Sequence, residues 1–259
     1  MTSAPPLQNK RVMIPRGEKH AQPFSELVKR LGGIPVEIPL IAFRPTAVSE
    51  QLATTLNEIH TYDWIVFTSN VTVETFFDLY QSVGYRFPKV AAIGEKTRQT
   101  LLERNIKTDF MPNEYVAEGF VHEFLPYVSA GMRVFIPKGN LARAYIATSL
   151  KKRGAFVKEQ VIYETYFPEE SKEKLERLLN DEQVDVLAFT SPSTIDHFME
   201  IVKKHHFEAK ISSCVVACIG PVAKKKAEEY GLTVHVCPNT YTVEEMMNSV
   251  VNYLIKRED

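Results

Sequence analysis

The sequence contains few of the features that mark secreted or membrane proteins. It has only three cysteines in 259 residues, Cys214, Cys218 and Cys237, and none is spaced as a CxxC pair. So few cysteines, in an odd number, cannot form a full disulfide framework, and we expect a reducing compartment, the cytoplasm. No apolar run of 18 residues and no leader pattern occurs, so the sequence predicts neither a membrane span nor export.

Charge of one sign is not in excess either. The 31 Lys and Arg residues nearly balance the 32 Asp and Glu residues, which leaves a formal net charge of −1. A bulk nucleic-acid binder would carry a positive field, so we expect no nucleic-acid partner. Any anionic ligand must therefore be held by local groups.

The motifs of several enzyme classes are absent. The chain has no GxGxxG, no GxxxxGK[ST] and no HExxH, so dinucleotide, nucleoside triphosphate and zinc-protease chemistry have no motif support. Cys214 and Cys218 lie in an apolar strand pattern, where small buried residues are usual, and His205 and His206 lie in a polar stretch beside two lysines. We therefore expect neither a metal nor a cofactor.

An internal repeat organises the chain, whose length already favours two domains at about 150 residues per domain. The matching segments are residues 11–17 and 133–139, 63–69 and 185–191, 92–94 and 218–220, and 112–115 and 238–241. The first two pairs are offset by 122 residues and the last two by 126. Four matches in the same order indicate an ancestral duplication.

Within each half, short β-rich apolar runs alternate with longer helical patterns, which is typical of βαβ units and a parallel sheet. The predicted strands lie near 11–14, 34–38, 64–68, 90–93, 108–110, 133–136, 156–161, 185–189, 215–219 and 233–236. The predicted helices lie near 19–31, 48–59, 71–83, 95–104, 115–127, 141–153, 171–180, 193–204, 221–230 and 241–256. The sequence thus predicts two similar doubly wound α/β lobes, each with five parallel strands, and a cleft between them.

Polar residues follow the predicted strands, at the edge of an open α/β sheet where ligands meet helix N-termini. The candidate groups are the hydroxyls of Thr68, Ser69, Thr190, Ser191 and Ser193, the backbone of Gly94, Gly139 and Gly220, and the cations of Arg16, Lys138 and Arg143. Hydroxyls, close backbone amides and cations together suit a ligand with several carboxylates. Ser and Thr are also favoured helix caps, so capping stays an alternative at each single loop.

The ordered motifs resemble uroporphyrinogen-III synthase nearly from end to end of the chain. The segments that carry the resemblance are Phe67-Thr68-Ser69, Ala92-Ile93-Gly94, Pro112-Asn113-Glu114-Tyr115, Val161-Ile162-Tyr163-Glu164-Thr165, Phe189-Thr190-Ser191 and Ala217-Cys218-Ile219-Gly220. The resemblance implies that residues 1–40 and 167–259 form one lobe and residues 45–162 the other. It also implies a two-stranded linker near 41–44 and 163–166.

The resemblance further implies a reaction without metal or cofactor. The linear tetrapyrrole hydroxymethylbilane would close to uroporphyrinogen III, with inversion of the last pyrrole ring and loss of water. Tyr163 matches the family's tyrosine in the linker and is the candidate proton donor, because a phenol stays protonated at neutral pH and can donate. An ordinary strand aromatic is the alternative for Tyr163. We expect a monomer acting on a small-molecule substrate, with a transient handover of the bilane from the enzyme that makes it.

Other family positions are matched less evenly. Thr97, Ser69 and Ser191 match and are expected to contact carboxylates or to position the backbone. Ala223 stands where many members have Thr, and Val71 where Asn or Arg is common, so backbone contacts at the glycines carry more weight. Two rival functions remain at this point: a non-catalytic bilobal module that binds a polycarboxylate or tetrapyrrole, and a transferase acting on a phosphate ligand.

Overall fold

The protein is described by a computed structural model that covers residues 5–80, 86–181 and 183–258. The strands are β1 Arg11–Ile14, β2 Ile34–Glu37, β3 Ala42–Pro45, β4 Trp64–Phe67, β5 Lys89–Ala92, β6 Arg133–Gly139, β7 Phe156–Tyr166, β8 Val186–Phe189 and β9 Val215–Cys218. The helices are α1 Glu18–Arg30, α2 Glu50–Asn57, α3 Asn70–Leu79, α4 Glu95–Leu102, α5 Ala117–Phe124, α6 Tyr145–Lys152, α7 Glu169–Asp181, α8 Pro192–His205, α9 Glu208–Ile211, α10 Pro221–Glu229 and α11 Val243–Glu258.

The chain divides into two compact units. The first combines the chain up to Ala42 with the chain from Tyr166 onward, and the second runs from Phe43 to Thr165. The first unit has a four-stranded sheet in the order β2-β1-β8-β9, and the second has a five-stranded sheet in the order β3-β7-β6-β4-β5. The pairs of β1 with β2 and β8, of β8 with β9, of β4 with β5 and β6, and of β6 with β7 are all parallel. The prediction of an α/β fold with parallel sheets is therefore confirmed.

Both faces of each sheet are buried, as the unbroken apolar runs predict. Along β8, Leu187 and Phe189 join one core cluster, whereas Val186 and Ala188 join a second cluster on the other face. In the second unit, Ile65 and Phe67 of β4 lie in one cluster and its other two residues in another. Successive side chains of a strand point to opposite faces, so every position of these strands is buried under helices.

Equivalent positions of the two units make the same contacts. The amide of Arg11 donates to Oδ2 of Asp185 at 2.8 Å, and the amide of Arg133, 122 positions later, donates to Oδ2 of Asp63 at 2.8 Å. The strand registers agree as well, because Val12 pairs with Val186 just as Val134 pairs with Trp64. Each sheet thus joins the first two strands of one sequence repeat to later strands of the other repeat.

The expectation that each half of the chain forms its own sheet of five parallel strands is therefore wrong, because each sheet combines strands from both halves. The predicted strands near 108–110 and 233–236 are single bridges, from Phe110 to Ala91 and from Val236 to Ala217. The reason lies in the preceding residues: Oδ2 of Asp109 accepts the amide hydrogen of Val90 at 2.9 Å, and Nδ1 of His235 accepts that of Val216 at 3.0 Å. A side-chain acceptor takes the place of the backbone carbonyl that a longer ladder would need.

Several helices also differ in their bounds from the sequence prediction. The predicted helix near 115–127 is α5 followed by a 3₁₀ turn at Leu125–Tyr127, and that near 48–59 is α2 followed by a 3₁₀ turn at Ile59–Thr61. Helix α6 begins only at Tyr145, four residues later than predicted. The end of the predicted helix near 71–83 falls partly outside the described residues. The short helix α9 was not predicted.

Cys214 and Cys218 are buried, as the sequence predicts. Burial, with a smaller contribution from nearby charged groups, raises the pKa of the Cys214 thiol to about 11 and that of the Cys218 thiol to about 12. Among the helices of the described residues, none has the length and apolar character of a membrane span.

Candidate functional site

In both units the candidate groups lie where parallel strands end and helices begin. Ser69 follows β4, and its hydroxyl accepts the amide hydrogen of Thr72 at 3.1 Å at the start of α3. Ser191 follows β8 in the equivalent position, and its hydroxyl accepts the amide hydrogen of Thr194 at 3.4 Å. Both serines therefore cap helices. A capping hydroxyl still lies among the free amides of the first turn, where anions bind.

Tyr163 lies on β7 in the second unit, half-buried and packed against one face of the core. Its Oη lies 3.5 Å from Oγ of Ser69. The ring of Phe43 contacts it edge-on, with 5.8 Å between the ring centroids. The phenol thus reaches the beginning of α3, beside the first-turn amides that could receive an anion.

The positive charge predicted at Lys138 is already paired. Its Nζ lies 2.7 Å from Oε1 of Glu159, and the two side chains are only 16% and 19% exposed. Arg143 pairs with Glu118 at 3.2 Å, but both groups are more than half exposed, so solvent and salt weaken that pair. Lys138 is therefore bound within the unit, whereas the charge of Arg143 stays exposed to solvent.

Arg16 lies at the end of β1 in the first unit and donates from Nε to Oγ1 of Thr190 at 3.0 Å. Burial lowers the pKa of the guanidinium from its ordinary value, although an arginine stays charged at neutral pH. Thr190 thereby orients the cation beside the start of α8, whose first turn includes Ser193. These groups form the candidate anion site of the first unit.

Gly94 and Gly220 precede α4 and α10, and each lies against a tyrosine. A Cβ at Gly94 would lie 3.5 Å from the side chain of Tyr115, and one at Gly220 would lie 3.2 Å from that of Tyr241. The carboxylate of Glu95 starts α4, but Arg98 hydrogen-bonds to it and lowers the pKa of Glu95 below its ordinary value. The negative charge of Glu95 at the start of α4 is thus offset by the positive charge of Arg98.

Two further predicted residues differ in exposure. Thr68 is half-buried at the end of β4, next to Ser69. Thr97 is only 5% exposed within α4, so its side chain would have to become accessible before its hydroxyl could contact a ligand. Val71 and Ala223 lie in the first turns of α3 and α10, respectively.

The sequence reasoning missed three residues that shape the site. Glu159 neutralises Lys138, Phe43 contacts Tyr163, and Asn140 hydrogen-bonds to the backbone of Thr165. Glu159 and Lys138 are 21 positions apart, so no short-range spacing could reveal their contact. Phe43 lies within the predicted linker near 41–44 and Asn140 directly follows Gly139, and these positions were the only signal available.

Within residues 5–80, 86–181 and 183–258, no three His, Cys, Asp or Glu side chains are grouped so that they could hold a metal ion.

Fold and site together define a two-unit α/β protein with polar, helix-capping groups at its strand ends and a phenol beside one helix start. Comparison with known proteins adds the family. The model of uroporphyrinogen-III synthase HemD matches residues 22–248. A protein of Methanothermobacter thermautotrophicus is 30% identical over 230 residues, which span 86% of this chain and 90% of the relative. The uroporphyrinogen-III synthase of Synechococcus elongatus is 26% identical over 253 residues, which span 95% of this chain and 96% of that one.

A solved structure has the same fold. The crystal structure of a mutant uroporphyrinogen III synthase from Thermus thermophilus superimposes with a TM-score of 0.66, at 19% identity, over 95% of this chain and 99% of the other. The chain belongs to the uroporphyrinogen-III synthase family of tetrapyrrole biosynthesis and is an enzyme of that family.

Proposed function

We propose that this enzyme closes hydroxymethylbilane to uroporphyrinogen III and that Tyr163 donates the proton. The single observation that carries the role of Tyr163 is its position, with Oη 3.5 Å from the serine that caps α3. A donor in this place lies next to amides that can hold a carboxylate arm of the substrate. General acid catalysis of this kind is worth about 10²–10⁴-fold.

The chemical step needs one proton and a fixed geometry. The phenol gives its proton to the terminal hydroxyl of the bilane, the C–O bond breaks, and water leaves. The cationic azafulvene that remains is attacked by the substituted carbon of the last ring, and the new bond gives a spiro intermediate. The bond from that carbon to its original bridge carbon then breaks, and the bridge carbon bonds to the unsubstituted carbon of the same ring. The proton lost from that carbon returns to the phenolate, so water is the only leaving group. Attack by the unsubstituted carbon would give isomer I, so orientation of the arms decides the product.

The strand ends of each unit supply groups for the carboxylate arms. In the first unit we assign Arg16, Thr190, Ser191, Ser193 and the backbone at Gly220. In the second we assign Thr68, Ser69 and the backbone at Gly94, with Arg143 as an exposed cation. The charge paired in Lys138 and the burial of Thr97 argue for indirect roles of those two residues.

We also propose that the two units derive from a duplication. The equal hydrogen bonds of Asp63 and Asp185, at the offset of the sequence repeat, support this origin. The division of the chain near Ala42 and Tyr166 supports the predicted lobes and the linker segments near 41–44 and 163–166. We propose further that the enzyme is a cytoplasmic monomer that receives the bilane from the enzyme that makes it.

The experiment is an isomer assay. Purified, folded protein is incubated with hydroxymethylbilane, and the products are oxidised and separated by chromatography. Isomer III in large excess over isomer I is expected, with and without EDTA. Isomer I at the level of spontaneous closure, with bilane binding detected by calorimetry, would favour the non-catalytic binding module instead.

A further inference from the structure

The ring of Tyr163 occupies the space in which any residue other than glycine would place its Cβ at position 139. A Cβ built on Gly139 would lie 2.6 Å from Cζ, 2.7 Å from Cε2 and 2.8 Å from Oη of Tyr163. Such distances lie well inside van der Waals contact, so even an alanine would force the ring to move. Gly139 has no positive φ, which means that close approach, and not an unusual backbone conformation, requires glycine here.

An irregularity in the sheet brings this ring over Gly139. Strands β6 and β7 pair in regular register from Arg133 to Lys138, which faces Val161, but Gly139 then faces Tyr163. The register therefore shifts by one residue at Ile162, whose side chain is fully buried in the core. Bulges of this kind change the direction of a side chain and are frequent beside active sites.

Asn140 holds the shifted segment of β7 in place. Its backbone amide donates to the carbonyl of Tyr163 at 3.1 Å. In its side chain, Oδ1 accepts the amide hydrogen of Thr165 at 2.9 Å and Nδ2 donates to the carbonyl of Thr165 at 3.4 Å. One residue thus fixes the backbone on both sides of the residue that follows Tyr163. The backbone that carries the Tyr163 ring is therefore held to Asn140, the neighbour of Gly139.

The equivalent strand end of the first unit lacks this arrangement. Gly17 precedes α1 at the position 122 residues before Gly139, and a Cβ there would meet nothing within 4 Å. The residue equivalent to Tyr163 is Ile41, which has no hydroxyl. The glycine is therefore needed for packing in the second unit alone.

We infer that Gly139 and Asn140 are positioning residues that set the place of the Tyr163 hydroxyl for proton donation. The inference rests on the proposed role of Tyr163. The sequence suggests that Gly139 contacts the ligand directly. The structure favours a different role, because the ring of Tyr163 already covers the side of Gly139 on which a Cβ would lie.

The test is a double-mutant cycle of Gly139→Ala with Tyr163→Phe. A displacement of about 1 Å can cost as much as 10²-fold in rate, so Gly139→Ala should lower kcat at least about fivefold and change KM less than about twofold. In the Tyr163→Phe background the same methyl group should lower kcat by less than about twofold, since no hydroxyl remains to be misplaced. Gly17→Ala is the matched control and should keep kcat within about twofold, because its Cβ has free space.

Different failures lead to different conclusions. Multiplicative losses in the double mutant, or a raised KM at unchanged kcat, would mean that the methyl group obstructs the substrate itself and would overturn the positioning role. Wild-type turnover of Tyr163→Phe would remove the proposed proton donor, and the positioning role with it. If kcat fell in Tyr163→Phe but stayed at the wild-type value in Gly139→Ala, only the positioning role would be overturned.

Asn140 gives a second test if Gly139→Ala does not fold. Asn140→Ala removes both side-chain hydrogen bonds to Thr165. It should lower kcat about threefold or more in protein that keeps Tyr163, but not in the Tyr163→Phe background. Asn140→Asp keeps an acceptor for the Thr165 amide and should recover part of that loss. Equal kcat in wild type and both variants would contradict the role of Asn140.

Discussion

Oη of Tyr163 lies 3.5 Å from Oγ of Ser69, and that Oγ already accepts the amide hydrogen of Thr72. The two hydroxyls therefore meet at the start of α3 without a short hydrogen bond between them. Ser69 is held by the helix through its bond to Thr72, and Oη of Tyr163 lies beside it. Under the proposed function, this relationship would place the proton donor beside the free amides at the start of α3.

Replacement of Tyr163 by Phe should lower kcat about tenfold, which corresponds to about 1.4 kcal/mol of transition-state stabilisation. The ring and its contact with Phe43 remain, so the free energy of unfolding should change by no more than about 1 kcal/mol. The product should still be mainly isomer III, because the groups that orient the arms are intact. Steady-state turnover, isomer chromatography and urea unfolding measure the three quantities.

Tyr253→Phe is the matched control for this substitution. Its ring packs against His235 in the first unit, and removal of its hydroxyl should leave turnover unchanged. If Tyr163→Phe were as active as this control, the phenol would be an ordinary strand aromatic.

Ser191 allows helix capping to be separated from substrate binding. Ser191→Ala should lower the free energy of unfolding by about 1 kcal/mol, because the cap on Thr194 is lost. Ser191→Asp keeps an acceptor at a helix start that favours negative charge, so its stability should stay close to that of wild type. The added charge should repel a substrate carboxylate and raise KM about tenfold. An unchanged KM in Ser191→Asp would reduce Ser191 to a cap.

The pair of Lys138 with Glu159 should contribute to folding stability. Glu159→Gln removes the carboxylate that contacts a largely buried ammonium at 2.7 Å, and we expect a loss of about 1–2 kcal/mol in urea unfolding. The control is Glu118→Gln, whose pair with Arg143 is exposed and should contribute less than about 0.5 kcal/mol. Equal effects of the two substitutions would mean that burial adds nothing to the first pair.

His235 should make stability depend on pH. Burial, followed by the nearby charge of Arg257, lowers the pKa of His235 from its ordinary value of 6.5. Because the unfolded chain then binds the proton more strongly than the folded one, this contribution is complete above pH 6.5 and is lost as the pH falls from 6.5 through the folded-state pKa. Protonation would also remove the Nδ1 acceptor for the amide of Val216.

His235→Asn tests this explanation. The amide oxygen of asparagine can accept from Val216, as the carboxylate of Asp109 accepts from Val90 in the other unit, but it does not titrate. The difference in unfolding free energy between pH 7.5 and pH 5.5 should therefore be smaller in the variant than in the wild-type protein. Parallel pH profiles for the two proteins would assign the dependence to other groups.

Local features of the fold are encoded in short segments, and the sequence was sufficient to find them. The runs Trp64–Phe67 and Val186–Phe189 are apolar at every position, as a strand covered on both faces requires. Ser69 and Ser191 stand immediately before helical patterns, where a hydroxyl satisfies a free amide. The ordered motifs also sufficed to indicate the family that the comparisons found.

Long-range pairing could not be obtained in this way. Nothing within the segment at Arg11 indicates that its partner is Asp185, 174 positions away, because a parallel strand can pair with any strand of similar pattern. Likewise, Asp109 and His235 end the ladders of neighbouring strands through side-chain hydrogen bonds that strand propensity does not include.

For the site, the sequence by itself determined which residue types lie in and after the strands: Tyr163 lies in β7, and Arg16 and the capping serines follow their strands. The tertiary structure decided which of those groups are available. It paired Lys138 with Glu159, buried Thr97, and laid the ring of Tyr163 over Gly139 through a one-residue shift in register. The physical reason is that residue type and spacing are properties of a few consecutive positions, whereas charge pairing, burial and close approach depend on contacts between segments far apart in the chain.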